Sequence, residues 1–524
     1  MKTEKTDEKK PNSNPQVASD FMIFGLVCIL AFGAYTNYWE PLTQGEKTLI
    51  QISAVMIVLL ICSLGGLIYL QFFSSFAKKQ KELKTAQELV PSILKDPSAT
   101  SCFLGSDEEL QNDIFLPDSI RSRHVHIIGA TGSGKTESTI LNLIGQDIEH
   151  GHPIVILDAK GDDDFLKYLQ VRNLGDKLKI FDLGDENTPY SYNPMQAGSP
   201  TEAGQRLFNS LTWSEEYYKT KARRVIKRFF EARHSKDGKN PTLFDFSCAL
   251  EKVEKLNQAV KGSDDERPFL SSKEFEELSG LVDQIDQLAS GPMKNLLSPA
   301  ENQPTISVGS DIQNKKIIYF RLQSMLDSES VAVISKLIIN ELANCAAHAQ
   351  RNGNKAHFCP VFLDEFASFV CAPFIDVISK ARSAGFALHF SHQSMGNVQK
   401  HGPEFISEIV DNSSTRIVMR TYDPGTTEFL AKCFGTKDDT KFTHKMEGDS
   451  EDHTVSDVGS LREVQAFQVN PSDIKKLPTG QGYVFIAHGM NHKGSGANVF
   501  RLTFPKLNKE KHLIQATQPE RKMS

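Results

Sequence analysis

The chain has 524 residues and a formal net charge of −6. That length allows roughly two to four domains. The near-balanced charge excludes a uniformly basic nucleic-acid binder but not a local basic surface, because net charge averages over patches. The 8 cysteines form no CxxC pair, which argues against the usual zinc and dithiol motifs and reads as free, reduced thiols in a cytosolic setting.

Two apolar runs open the chain. Phe21 to about Tyr35 is almost wholly apolar, and Ile50 to Phe73 carries no charge at all. A helix needs about 20 apolar residues to cross a bilayer core, so the second run is long enough to span with some tilt. The first is short enough to resemble a signal-peptide core. The TNYWE that follows offers no small-residue cleavage site, however, and Tyr35, Tyr38 and Trp39 suit a membrane interface. Both are expected to span, at 21–37 and 50–73, making residues 1–77 a membrane anchor; the alternative is a buried hairpin in a soluble protein. Lys2, Lys5, Lys9 and Lys10 precede the first run, Lys78, Lys79, Lys81 and Lys84 follow the second, and Lys47 lies between. Positive charge stays on the cytoplasmic side, so the bulk of the chain is expected in the cytoplasm.

Residues 78–115 are polar and mixed and read as a linker. Short apolar runs then recur: HVHII (124–128), PIVILD (153–158), KLKIFDL (177–183), KIIYFRL (316–322), PVFLD (360–364), FALHFS (386–391), RIVMR (416–420) and GYVFIAH (482–488). Several are continuous rather than alternating, as strands buried on both faces of a parallel sheet are. The fold class is α/β. From 201 to 300 no strand is evident, and stretches such as SEEYYKTKARRVIKRFFEAR (214–233) are charged and helical in pattern. We read this as an all-helical insertion dividing a nucleotide-binding domain into 116–200 and 301–505. Residues 436–460 are poor in apolar residues and predict a long exposed loop; 506–524 form a polar tail.

The stretch Gly129-Ala130-Thr131-Gly132-Ser133-Gly134-Lys135-Thr136 matches GxxxxGK[ST] in full. Its glycines let the backbone curl so that successive N–H groups point at a phosphate, and a following helix N-terminus adds its dipole. Lys135 is expected to reach the β- and γ-phosphates and Thr136 to ligate Mg2+. The motif follows one apolar run and precedes a helical one, TESTILNLIGQDI, as a phosphate loop requires, and ATP is the expected ligand.

Such a loop needs an acidic strand end nearby. In PVFLDEFAS (360–368), Asp364 is placed to hold the metal and Glu365 to polarise the attacking water. A second acidic strand end, LDAKGDDD (157–164), directly follows the loop's helix, where the neighbouring strand of such sheets is usually found; Asp158 is read there as structural or as a support behind the residues that hold the metal. Gln393, after the strand FALHFS, is a candidate γ-phosphate sensor or else a helix-cap partner. Arg382, in ARSAGF (381–386), is a candidate for stabilising transferred charge from a neighbouring subunit or else a surface cation. His389 and His392 are three apart, but no third ligand lies nearby, which argues against a metal.

In the order two spans, GATGSGKT, VILDAKGD, YNPM (192–195), FLDEFAS, ARSAGF, HQS (392–394) and NSSTRIV (412–418), the sequence resembles the type IV secretion coupling proteins, the TraD/TraG-like conjugation ATPases, from the anchor to about residue 490. The resemblance implies a RecA-like P-loop NTPase domain interrupted by an all-helical domain and preceded by two transmembrane helices. It implies a ring hexamer in the bacterial inner membrane with ATP at subunit interfaces. Its expected partners are single-stranded DNA with attached relaxase, or protein substrates, and the components of a type IV secretion channel. Arg123 and Arg382 match family arginines that act near the nucleotide, and Gln393 matches the family's sensor glutamine. Larger members carry an extended C-terminal substrate-binding domain that this sequence does not display, so the mode of relaxase recognition is not read from the family.

In the basic helix, Lys219, Lys221, Arg223, Arg224, Lys227, Arg228 and Arg233 are opposed after Glu216 by Glu231 alone. This stretch is either a surface for DNA or relaxase or a solvated face balanced by acids such as Glu251 and Glu254. Two further readings of the whole stand beside the conjugation ATPase. One is an FtsK-like double-stranded DNA pump, which would usually bring four spans and a long linker. The other is a nucleotide-regulated platform that docks substrates without motor activity.

Overall fold

A computed structural model describes residues 90–507 except 263–266, 326, 352–356, 369, 371, 448–453 and 488–497, together with isolated positions between 43 and 80. The chain divides into two compact units, Met1–Thr85 and Ala86–Ser524. Both expected membrane spans fall almost wholly outside the described residues. Ile52, Met56 and Leu60 of the second are described, and they are helical and exposed.

The second unit is built on an 11-stranded sheet. Its strands are β1 (Ser101–Asp107), β2 (Asn112–Pro117), β3 (Val125–Ile128), β4 (Ile154–Asp158) and β5 (Leu178–Asp182), then, after a short pair β6 (Ser191–Tyr192) and β7 (Thr305–Ile306), β8 (Ile317–Arg321), β9 (Cys359–Asp364), β10 (Phe386–His392) and β11 (Thr415–Met419). A separate hairpin, β12 (Thr436–Glu447) and β13 (Thr454–Phe467), precedes β14 (Gln481–Ile486) and β15 (Asn498–Thr503). The order is β2-β1-β15-β14-β11-β3-β10-β9-β4-β8-β5. From β11 to β5 all neighbours are parallel; from β11 to β2 all are antiparallel.

The continuous apolar runs have a direct cause. In β4, Val155 and Leu157 join the core on one face while Ile154 and Ile156 join the core on the other. A strand covered by helices on both sides has no solvent face to leave polar. Every run singled out in the sequence overlaps a strand of this sheet.

Three expectations are corrected. The stretch read as linker supplies β1 and β2, whose apolar positions Cys102, Leu104, Ile114 and Leu116 are buried. The stretch read as an exposed loop forms the antiparallel pair β12–β13, which lies outside the main sheet; a hairpin with no broad core to cover needs little apolar patterning. Finally, β4 is not the neighbour of β3. Two later strands, β10 and β9, lie between them, so the second acidic strand end is set apart from the phosphate strand.

Between β6 and β7 the described elements are all helical. The two-residue parallel pair Ser191–Thr305 and Tyr192–Ile306 closes the base of this segment. Capping boxes start three of its helices, at Ser199/Glu202, Thr242/Asp245 and Ser271/Glu274, each satisfying two otherwise orphaned backbone N–H groups. The basic helix Glu216–Asp237 buries Ala222, Val225, Ile226, Phe229 and Phe230. Its cations do meet acids, but not the expected ones. Lys221 pairs with Glu277, Arg224 with Glu274 at 3.8 Å and Arg233 with Asp237 at 2.8 Å, whereas Glu251 pairs with Lys255.

Among the described residues one helix, Ser328–Arg351, is long and apolar enough to cross a membrane. It is not among the runs singled out in the sequence. Val331, Ile334, Leu337, Ile338 and Leu342 place it in the core, and its buried Glu341 accepts a hydrogen bond from Tyr192 Oη at 2.6 Å.

Candidate functional site

The phosphate loop leaves the C-terminal end of β3 between β10 and β11 and is tied to both neighbours. Gly129 N–H donates to His392 O at 3.2 Å and Ala130 N–H to Arg420 O at 2.8 Å. A Cβ at Gly129 would lie 2.7 Å from Ser133 Oγ and 2.9 Å from Met419 Cβ, and Gly134 has φ +96°, a left-handed conformation that L side chains rarely adopt. No side chain but hydrogen fits either place. Among the described residues, nothing in the chain accepts the N–H groups of Thr131, Gly132, Gly134, Lys135 and Thr136, while Ser133 Oγ is buried without a partner. These donors belong to a turn that opens a helix, and an anion is the complement they lack.

Two acids converge on this loop from β9. Thr136 Oγ1 donates to Asp364 Oδ2 at 3.2 Å, and Ser391 Oγ donates to Asp364 Oδ1. Lys135 Nζ donates to Gly129 O at 2.7 Å and lies 4.0 Å from Glu365 Oε1. Lys135 is 6% exposed; burial pushes its pKa down, while Glu365 and Asp364 pull it back up. Gln393 Nε2 donates to Glu365 Oε1 at 3.1 Å. Glu365 has φ +54°, a strained backbone of order 1–3 kcal/mol that surrounding contacts must hold. That twist turns it out of the strand, so Asp364 is buried while Glu365 is partly exposed.

Asp158 has the structural part the sequence suggested. It accepts the N–H groups of Lys160, Gly161 and Asp162, each at 2.9 Å, and Tyr319 Oη at 2.8 Å. Burial, with Asp364 nearby, raises its carboxyl pKa, and hydrogen bonds from Tyr319, Gly161 and Asp162 oppose the rise.

The structure thus gathers Gly129 to Thr136, Asp364, Glu365 and Gln393. It does not bring Arg123 or Arg382 to them. Arg382 lies in the turn Ala381–Ala384 that feeds β10 at its N-terminal end, and Arg123 sits two residues before β3. His124, which bonds Ile378 O at 2.8 Å, feels the charge of Arg382, so both arginines lie at the same end. The seven residues of β10 put this end about 20 Å from the loop, at about 3.3 Å per residue. Arg123, expected near a nucleotide, is thus set well apart from the phosphate loop of its own chain.

Other contacts went unseen in the sequence. Thr479 Oγ1 and Arg420 Nη2 donate to Gly132 O at 3.2 and 3.3 Å, and Gly480 N–H donates to Ser133 O at 3.1 Å. They arrive from the end of β11 and the turn before β14, which no local pattern links to residue 132. The two histidines weighed as metal ligands diverge: His389 Nε2 accepts from Arg121 Nε at 3.2 Å, whereas His392 meets His126. Among the described residues one cluster, Cys102, Asp147 and His150, has metal-ligand spacing, but the guanidinium of Arg121 takes both oxygens of Asp147, at 2.7 and 2.6 Å.

Comparison with known proteins agrees with this arrangement. The model of the type IV secretion-system coupling protein DNA-binding domain matches residues 112–494. The type 4 coupling protein DotL of Legionella pneumophila subsp. pneumophila (strain Philadelphia 1) is 22% identical over 512 residues, a match taking in 80% of this chain and 64% of DotL. The chain therefore spans less than two thirds of that relative. The plasmid coupling protein TrwB, solved with ADP and Mg2+, superposes with a TM-score of 0.59 at 16% identity, covering 80% of this chain and 93% of TrwB. VirB4 of Thermoanaerobacter pseudethanolicus gives 0.51 at 14% identity, covering 80% and 99%. At these identities the two structures show a shared fold.

Proposed function

The chain belongs to the type IV secretion-system coupling proteins, and on that premise we propose that it is an ATPase of the bacterial inner membrane that couples relaxase-bound single-stranded DNA, or a protein substrate, to a secretion channel and drives its transfer. The observation that carries the reading is the convergence of Lys135, Thr136, Asp364 and Glu365 at the C-terminal edge of a parallel sheet. Unpaired loop amides, a buried cation and a hydroxyl–carboxylate pair fit ATP with Mg2+, and TrwB was solved with a ligand of that class, ADP with Mg2+.

In this reading the amides of Thr131, Gly132, Gly134, Lys135 and Thr136 bind the phosphates and Lys135 neutralises the β/γ oxygens. Thr136 and Asp364 would hold Mg2+, which supplies further charge neutralisation there. Glu365 accepts the proton of the attacking water, and Gln393, bonded to Glu365, orients it. Arg123 and Arg382, exposed to no phosphate of their own chain, would serve the site of the next protomer in a homohexameric ring. The helical segment between β6 and β7 is the insertion domain, and the two apolar N-terminal runs are the anchor.

Glu365→Gln is expected to bind ATP as the wild type does and to hydrolyse it about 10² to 10⁴ times more slowly, the usual contribution of a general base. Nucleotide titration and steady-state hydrolysis on the same preparation read this out. If the variant loses nucleotide affinity instead, Glu365 is a structural partner of Lys135.

Deleting residues 1–77 should release a soluble protein, because the spanning-length helix Ser328–Arg351 is already used in the core. It should also assemble less well, since an anchor concentrates subunits in a plane. A truncated protein still in the membrane fraction after a high-salt wash would contradict the two-span anchor.

A further inference from the structure

Beneath the phosphate loop two imidazoles face each other. His126 of β3 and His392 of β10 are both buried, and their Nε2 atoms are 2.6 Å apart. His392 Nδ1 lies 2.8 Å from Ser394 O. A carbonyl only accepts, so Nδ1 carries the proton, His392 Nε2 is the lone-pair acceptor in the neutral ring, and His126 Nε2–H is the donor. His126 Nδ1 is then the unprotonated atom, and it is the one left buried without a partner. Burial pushes His392 down to about 4, with Lys135 adding to the shift. Burial, His392 and Arg416 hold His126 well below its ordinary value. Both rings are neutral, and one hydrogen-bond arrangement is open to them: His126 to His392 to the Ser394 carbonyl.

The end of β10 sends successive residues to different parts of the site. Ser391 meets Asp364. His392 turns to the opposite face and meets His126. Gln393 leaves the strand and donates to Glu365. The carbonyl of His392 also takes Gly129 N–H. The residue ahead of Gln393 is therefore fixed through its carbonyl and both ring nitrogens, and each tie leads to the phosphate strand or to the backbone just after Gln393.

We propose that His126 and His392 are a positioning pair for Gln393, their imidazole–imidazole hydrogen bond holding residues 392–394 in register with the phosphate loop so that the Gln393 carboxamide meets Glu365 and the attacking water. The inference rests on the hydrolytic reading of Glu365 and Gln393. A pair that merely fills the core would change stability alone. A positioning pair changes turnover, and only while Gln393 is present.

The test uses the full chain and its variants, with ATP affinity, kcat and melting temperature measured on each. His392→Phe keeps the ring's bulk and loses both nitrogens. It is expected to bind ATP within about twofold of wild type and to lose about 10- to 100-fold in kcat, the scale of a small misplacement of a reacting group. Gln393→Ala should lose a similar factor. The double variant His392→Phe/Gln393→Ala should be no slower than Gln393→Ala, because residues acting as one unit do not add. A second comparison leaves His392 in place: His126→Gln offers a carboxamide donor to His392 Nε2 and should turn over faster than His126→Leu, which offers none. This pair decides the matter if His392→Phe does not fold. Multiplied losses in the double variant overturn the proposal, as does a matching loss of ATP affinity, or His126→Gln no faster than His126→Leu. Full turnover by Gln393→Ala overturns the role of Gln393 itself and that of the pair with it.

Discussion

Lys135→Ala is expected to lose at least about 100-fold in ATP hydrolysis, the cost of removing one pre-positioned group that stabilises transition-state charge. The structure makes the loss steep. The ammonium is almost buried, held at 2.7 Å by Gly129 O and facing Glu365 at 4.0 Å. Without it, Asp364 and Glu365 would meet the phosphates with no side-chain cation from the loop between them, and like charges at such range repel strongly where water is scarce. The variant should fold, since the neighbouring strands hold the loop through backbone bonds from Gly129 and Ala130. Wild-type turnover by the purified variant would sink the phosphate-loop assignment.

Arg382→Ala should bind ATP normally and hydrolyse it roughly 10³-fold more slowly, the range an arginine finger supplies. Geometry sharpens this expectation. Arg382 enters β10 at one end and Gln393 leaves at the other, so a guanidinium acting on phosphate must act on another copy's. Turnover per subunit should rise steeply with protein concentration and with added single-stranded DNA, which would nucleate the ring. Mixing Arg382→Ala with Lys135→Ala should restore part of the activity, one variant bringing an intact phosphate loop and the other an intact finger. Mixed rings that demonstrably form yet stay inactive would exclude Arg382 from the neighbour's site.

What was legible in the sequence was whatever chemistry lies within one short segment. GATGSGKT is such a segment, because a phosphate loop is a local backbone shape that needs glycine at fixed places. PVFLDEF is another, because a strand buried on both faces must be apolar until it ends, and a carboxylate at the end has somewhere to point. Contacts assembled from distant segments were not legible. Ser391 reaches Asp364, Thr479 and Arg420 hold Gly132, and His126 meets His392 across 266 positions. None of these has a spacing rule.

The sequence by itself determined the α/β class, the phosphate loop and the acidic strand end, since each is dictated by burial periodicity or by backbone sterics over a few residues. The order of strands was decided only by the tertiary structure. Hydrogen bonds between strands are alike whatever the partner, so nothing local says that β10 and β9 stand between β3 and β4, or that a hairpin in an apparent linker extends the sheet through β1 and β15. The same order separates Arg123 and Arg382 from the loop they resemble partners of. Their place at the far end of parallel strands turns a choice between cis and trans action, open in the sequence, into a question about neighbouring subunits.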